Sequence, residues 1–214
     1  MDIFYHKTHF LQDALNMVRS QGQPLPKFNV YYSEAPYDAD IPGMESKVWG
    51  HGLFDTQPVS GLERSVGRVL RQLEQLNPVV GIIGFSTGAT LAMIIASLLE
   101  KTDRCRLFGV HTTHPPLKFV IAYSGFMLGH PMYRELYYPA IRTPGLIYVG
   151  ELDTMITPTA SYRLARTLQS GGDHDLLGNP LRSPARKNHP GSDRLCVSVC
   201  KQRNPDRECR PGTG

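Results

Sequence analysis

Five consecutive residues, Gly84-Phe85-Ser86-Thr87-Gly88, restrict what this chain can fold into more than any other feature. They separate an apolar run, Val79 to Gly84, from a segment of helical periodicity, Thr87 to Leu99. A strand that passes directly into a helix through Gly-x-Ser-x-Gly holds the serine on a sharp, strained turn, and small neighbours let that turn close. Gly84, Gly88 and Ala89 leave that room. The first N–H groups of the helix then face the serine, so the Thr87 amide is placed to hold a developing oxyanion. Ser86 is therefore the candidate nucleophile. The competing reading, in which both glycines only let a helix pack tightly on a strand, uses the same residues. The chain has no G-x-x-x-x-G-K-[ST] or G-x-G-x-x-G phosphate loop, and no cofactor is expected.

The elbow lies inside an alternation of strand-like and helix-like segments. Apolar spacing predicts helices over 8–19, 62–76, 87–99 and 159–168, and short β-branched or aromatic runs predict strands at 28–32, 79–84, 117–123 and 146–150. Such an alternation implies an α/β fold with a doubly wound, mostly parallel sheet. A loop rich in Asp, Gly and Pro spans 36–60 and holds the only tryptophan, Trp49. Trp49, Phe54, Tyr37 and Met44 fit an acyl pocket and a core lid equally well.

A nucleophilic serine needs a histidine base and an acid to orient it, in the chain order Ser, Asp or Glu, His. Asp153 follows the strand at 146–150, at the sheet edge where such sites are built, and is preferred to Glu151. The histidines beyond it are His174 and His189; His174 is taken as the base, with His189 as the alternative and a solvated histidine as the competing reading for both. His111 and His114, beside Pro115 and Pro116, read as a surface connection.

Composition changes sharply at Gln169. Residues 169–214 carry eight basic and five acidic side chains, two histidines, three of the four cysteines and no aromatic residue, whereas residues 1–168 carry fifteen basic and fourteen acidic side chains. The formal charge of +4 thus belongs mostly to the tail, and the near-neutral body offers no basic stripe for nucleic acid. Without aromatic residues and with few aliphatic ones, 169–214 is expected to be an irregular basic tail beside a hydrolase domain at 1–168. Its His189, Cys196, Cys200 and Cys209 match no common zinc spacing, and no metal is expected. No stretch reaches the roughly 18 unbroken apolar residues of a membrane helix, and the start of the chain lacks a signal-peptide pattern, so no membrane partner and a cytoplasmic protein with reduced thiols are expected.

Several stretches together resemble one family, the fungal FSH-type serine hydrolases, which are α/β-hydrolases related to the ovarian-cancer-associated serine hydrolase. They are Phe28-Asn29-Val30-Tyr31-Tyr32-Ser33-Glu34-Ala35-Pro36, the elbow with Ala89, the run from Pro116 to Phe126, Ile141-Arg142-Thr143-Pro144, and the run from Tyr148 to Thr154. The resemblance implies Ser86 as nucleophile and Asp153 as triad acid, acting on an acyl ester or thioester, in several members beside a polyketide synthase. It also implies a first strand with a His-Gly loop ahead of residues that look like Met1-Asp2-Ile3-Phe4-Tyr5, and a Gly-Gly-His or Gly-x-His-x-Val-Pro motif beyond the acid. Here the first strand is expected to be missing, and Gly171-Gly172-Asp173-His174 and His189-Pro190-Gly191 are partial echoes of the second motif. A shifted reading frame or splice near Gln169 would produce that break. Two functions follow as expectations, a working serine esterase or thioesterase and a catalytically impaired paralogue that binds a ligand or partner.

Overall fold

The computed structural model describes residues 8–17, 19–20, 23–24, 28–39, 47–76, 78–150, 153–169 and 196–201. Its main sheet has five strands: β1 (Phe28–Ser33), β2 (Val79–Phe85), β3 (Phe119–Tyr123), β4 (Gly145–Tyr148) and β5 (Cys196–Lys201). Their spatial order is β1-β5-β2-β3-β4. β2, β3 and β4 are parallel neighbours, while β5 runs antiparallel to both β1 and β2. β1 therefore points the same way as β2, and only β5 opposes the rest.

Four helices accompany the sheet: α1 (Leu11–Met17), α2 (Leu62–Leu76), α3 (Thr87–Glu100) and α4 (Pro158–Ala165). β2 is a near-continuous apolar run, as a strand covered on both faces must be. On one face, α2 turns Val66, Val69, Leu70 and Leu73 inward against α3 and the sheet, and α3 is buried along almost its whole length. On the other face, Leu11 and Leu15 of α1 pack with Phe28, Val30, Val80 and Phe119 around Ile83. Helices on both faces of a largely parallel sheet make this the expected doubly wound α/β architecture. Gly81 has no side chain because the Phe119 ring lies over it, within 2.5 Å of where a Cβ would stand.

The loop at 36–60 is partly core. Trp49 is 2% exposed, its carbonyl accepts the Ser65 hydroxyl at 2.6 Å, and it belongs to the main apolar cluster. Phe54 meets Phe126 edge to face at 5.2 Å between ring centres. Tyr37–Asp38 pairs with Lys47–Val48 in a short ladder. Met44 lies outside the described residues.

Two expectations need correction. The segment 169–214 is not irregular throughout, because Cys196–Lys201 is a strand in the middle of the sheet, paired along its length with β1 and nearly all of it with β2. The alternation Val197-Ser198-Val199 suits a strand, and β1 and β2 each present an open backbone edge to it; the missing aromatics do not bear on backbone pairing. The place between β1 and β2 is thus held by β5. His114 is not on a surface connection either: it is 3% exposed, its Nε2 accepts the Val79 N–H at 3.2 Å, and its Nδ1 lies 2.7 Å from the Pro115 carbonyl. That pairing makes it a neutral imidazole protonated on Nδ1. No described helix is long and apolar enough to cross a membrane.

Candidate active site

The site lies on the carboxyl edge of β2, β3 and β4. In the register of these strands, Phe85 pairs with Tyr123 and Tyr123 with Tyr148, so the next residues of the three strands come abreast at one edge. Ser86 and Ser124 each continue the ladder by one hydrogen bond, from Ser86 N–H to the Tyr123 carbonyl at 2.8 Å and from Ser124 N–H to the Tyr148 carbonyl at 2.9 Å.

Ser86 has φ 53° and ψ −122°. That combination belongs to the first central position of a type II′ turn, which glycine occupies freely and other residues rarely do. It lets β2 stop and α3 begin within one residue, the sharp, strained turn that the sequence pattern predicts. Gly84 makes the turn possible: a Cβ there would stand 2.4 Å from the Gly88 carbonyl oxygen and 2.6 Å from the Ala89 backbone. Gly84 thus lets the helix pack tightly on the strand, as the competing reading has it, and that packing is what forms the elbow.

The Ser86 carbonyl accepts the Ala89 and Thr90 N–H groups at 3.0 and 3.1 Å, which opens α3. Among the described residues the Thr87 N–H has no acceptor, and it lies at the positive end of the helix. It is therefore available to a negative oxygen beside Ser86. The Thr87 hydroxyl is buried without a hydrogen-bond partner among the described residues. One turn further on, the Thr90 hydroxyl donates to the Phe126 carbonyl at 2.7 Å and ties the helix start to the segment after β3.

Asp153 sits in the turn that follows β4. Its Oδ1 accepts the Met155 and Ile156 N–H groups, both at 2.9 Å, and its own N–H donates to the Gly150 carbonyl at 3.2 Å. These bonds hold the carboxylate in one orientation, and among the described residues Oδ2 has no hydrogen-bond partner. With strands about 4.8 Å apart, the ends of β2 and β4, which lead to Ser86 and to the turn of Asp153, are two strand spacings, about 10 Å, apart. His174, His189 and Glu151 lie outside the described residues.

The sequence assigns no role to Ser124, although it stands beside Ser86. It is 8% exposed, and it and Ser86 are the only non-glycine residues with positive φ among the described residues, Ser124 at φ 49°. No residue pattern marks it, because its position depends on the register of β2 with β3.

A serine strained at a strand-to-helix elbow, beneath an open helix amide and at the carboxyl edge of a parallel sheet, is the arrangement of the serine-hydrolase class of α/β protein. Comparison with known proteins bears this out: the family model described as serine hydrolase (FSH1) matches residues 1–177, and the chain belongs to that family. It is similar to family of serine hydrolases 3 of Saccharomyces cerevisiae, with 38% identity over 157 residues that make up 68% of this chain and 55% of the relative. It is similar to esterase OVCA2 of Homo sapiens, with 30% identity over 134 residues, 59% of this chain and 54% of the relative. It also matches 24% of the length of the dihydrofolate reductase of Schizosaccharomyces pombe, at 29% identity over 115 residues and 54% of this chain.

Proposed function

We propose that the protein is a serine esterase or thioesterase in which Ser86 is the nucleophile, Asp153 the orienting acid and His174 the base. The backbone of Ser86 carries this reading: a non-glycine residue at φ 53° is costly, and such conformations gather where a side chain must be held for chemistry. In the reaction, Ser86 Oγ bonds to the acyl carbon and passes its proton to the imidazole, while the carbonyl electrons move onto oxygen beside the Thr87 N–H. The C–O or C–S bond then breaks, and the alcohol or thiol leaves with that proton. Water, deprotonated by the same imidazole, releases the acid and restores Ser86.

The family resemblance supports a thioester of a polyketide as the physiological acyl donor and a cytoplasmic setting beside the synthase that makes it. A fluorophosphonate probe is expected to label Ser86 in the full chain and to leave Ser86→Ala unlabelled. Folded protein that resists the probe would overturn the assignment. Labelling without turnover of p-nitrophenyl or N-acetylcysteamine esters would instead favour an impaired paralogue that binds its ligand.

A further inference from the structure

Ser124 occupies the strand between the nucleophile and the acid, and three observations converge on its hydroxyl. It follows Tyr123 in the register that places Phe85, Tyr123 and Tyr148 side by side, so it lies one strand from Ser86 and one from the turn of Asp153. It holds a left-handed backbone, φ 49°, although it is not glycine and is almost fully buried. Non-glycine residues adopt that conformation in only a few per cent of cases, and a turn alone would be better served by glycine.

The third observation is the space above Gly150. A Cβ on Gly150 would stand 3.3 Å from Ser124 Oγ, 3.0 Å from Asp153 Cβ and 3.6 Å from Asp153 Oδ2. The serine hydroxyl and the open oxygen of the carboxylate thus border the same small gap, which glycine keeps clear. Asp153 Oδ1 already accepts two N–H groups, so Oδ2 is the oxygen left to face a base. An ionised carboxylate oxygen has room for two donors, the imidazole N–H and one more.

We infer that Ser124 is a positioning residue of the hydrolase: its hydroxyl donates to Asp153 Oδ2 across the Gly150 gap and fixes the carboxylate against the base. The inference rests on the serine-hydrolase reading above. The proposed bond needs a turn of the serine about χ1, or one bridging water, to close the gap. The hydroxyl touches no reacting atom and acts through Asp153, much as partners of a ligating or orienting group elsewhere set its direction.

Steady-state hydrolysis of a p-nitrophenyl ester and the rate of fluorophosphonate labelling, measured on the full chain, test it with Ser124→Ala, Ser124→Gly and Asp153→Asn. Loss of one hydrogen bond to a charged group is expected to lower kcat, and the labelling rate, about 10- to 100-fold in both Ser124 variants, with KM unchanged. Ser124→Gly relieves the backbone, so it melts no lower than Ser124→Ala and separates the hydroxyl from folding. Combined with Asp153→Asn, Ser124→Ala is expected to cause no further loss, because its partner is gone. Full kcat in Ser124→Gly, or independent losses in the double variant, would overturn the role of Ser124 and leave Ser86 and Asp153 in place. A parent chain that neither labels nor turns over would overturn the hydrolase reading together with this one.

Discussion

Replacing Ser86 by glycine should make the protein inactive and more stable, and the comparison with Ser86→Ala isolates the reason. At φ 53° and ψ −122° a side chain on Ser86 meets the backbone strain that non-glycine residues carry in sparsely populated regions, about 1–3 kcal/mol. Alanine keeps the Cβ and hence the strain. Its loss of the hydroxyl is nearly neutral, because Ser86 makes no side-chain cap to α3. Glycine removes the strain but loosens the unfolded chain, an opposing effect of about 0.5–1 kcal/mol. The balance favours glycine over alanine by about 1 kcal/mol, or about 2–4 °C in Tm for a chain of this size. Trp49 is the only tryptophan and is 2% exposed in the main core, so its fluorescence reports global unfolding directly. Thermal melts of the two variants, both lacking the nucleophile, are free of ligand effects from turnover. A glycine variant that melts at or below the alanine variant would show that the elbow is relaxed, and the argument from strain to function would fail.

Two further outcomes follow from the sheet. Burial lowers the pKa of His114 below its ordinary 6.5, against smaller opposing effects of the Pro115 carbonyl and Glu74. The folded state therefore binds fewer protons than the unfolded one just below pH 6.5, so stability is full above that pH and declines as pH falls through the folded pKa. Urea midpoints at pH 7.5 and 5.5 should differ in the parent and converge in His114→Gln, which keeps an acceptor near the Val79 N–H; an unchanged pH dependence in the variant would place its origin elsewhere. In β5, Val199 pairs with Val30 on one side and Gly81 on the other, so Val199→Pro removes a ladder donor from a central strand. It should cost about 3 kcal/mol or more, and a parent-like melt would show that β5 does not complete the sheet.

Legibility in the sequence follows how local each feature is. The elbow can be read because every element of it lies within a dozen residues: an apolar strand, two glycines, a serine and a helix that begins at once. The place of Asp153 just past a strand at the sheet edge can be read because it follows an apolar run. The helix at 62–76 is found residue for residue, since its inward stripe repeats at helical spacing within one segment. β5 and the burial of His114 cannot be read locally, because each depends on a partner far away in sequence. His114 faces the Val79 N–H from 35 residues away, and its neighbours Pro115 and Pro116 suggest only a turn. β5 lies more than 100 residues beyond β2, in a stretch whose composition argues against burial, and its place is decided by two open strand edges rather than by its own residues.

Ser124 belongs to the same group, and it shows why the second half of a catalytic arrangement is harder to see than the first. Nothing within Tyr123-Ser124-Gly125-Phe126 distinguishes its hydroxyl from that of any serine at a strand end. What singles it out is the pairing of Phe85 with Tyr123 and of Tyr123 with Tyr148, which brings it between Ser86 and Asp153. A nucleophile can be set up by the turn it sits in, whereas a carboxylate and its supports must be brought from separate strands. Sheet register therefore carries the information that orients Asp153. By the same argument, substitutions that shift β3 by one residue would swap its two faces and impair the acid side of the site while leaving the elbow sequence untouched.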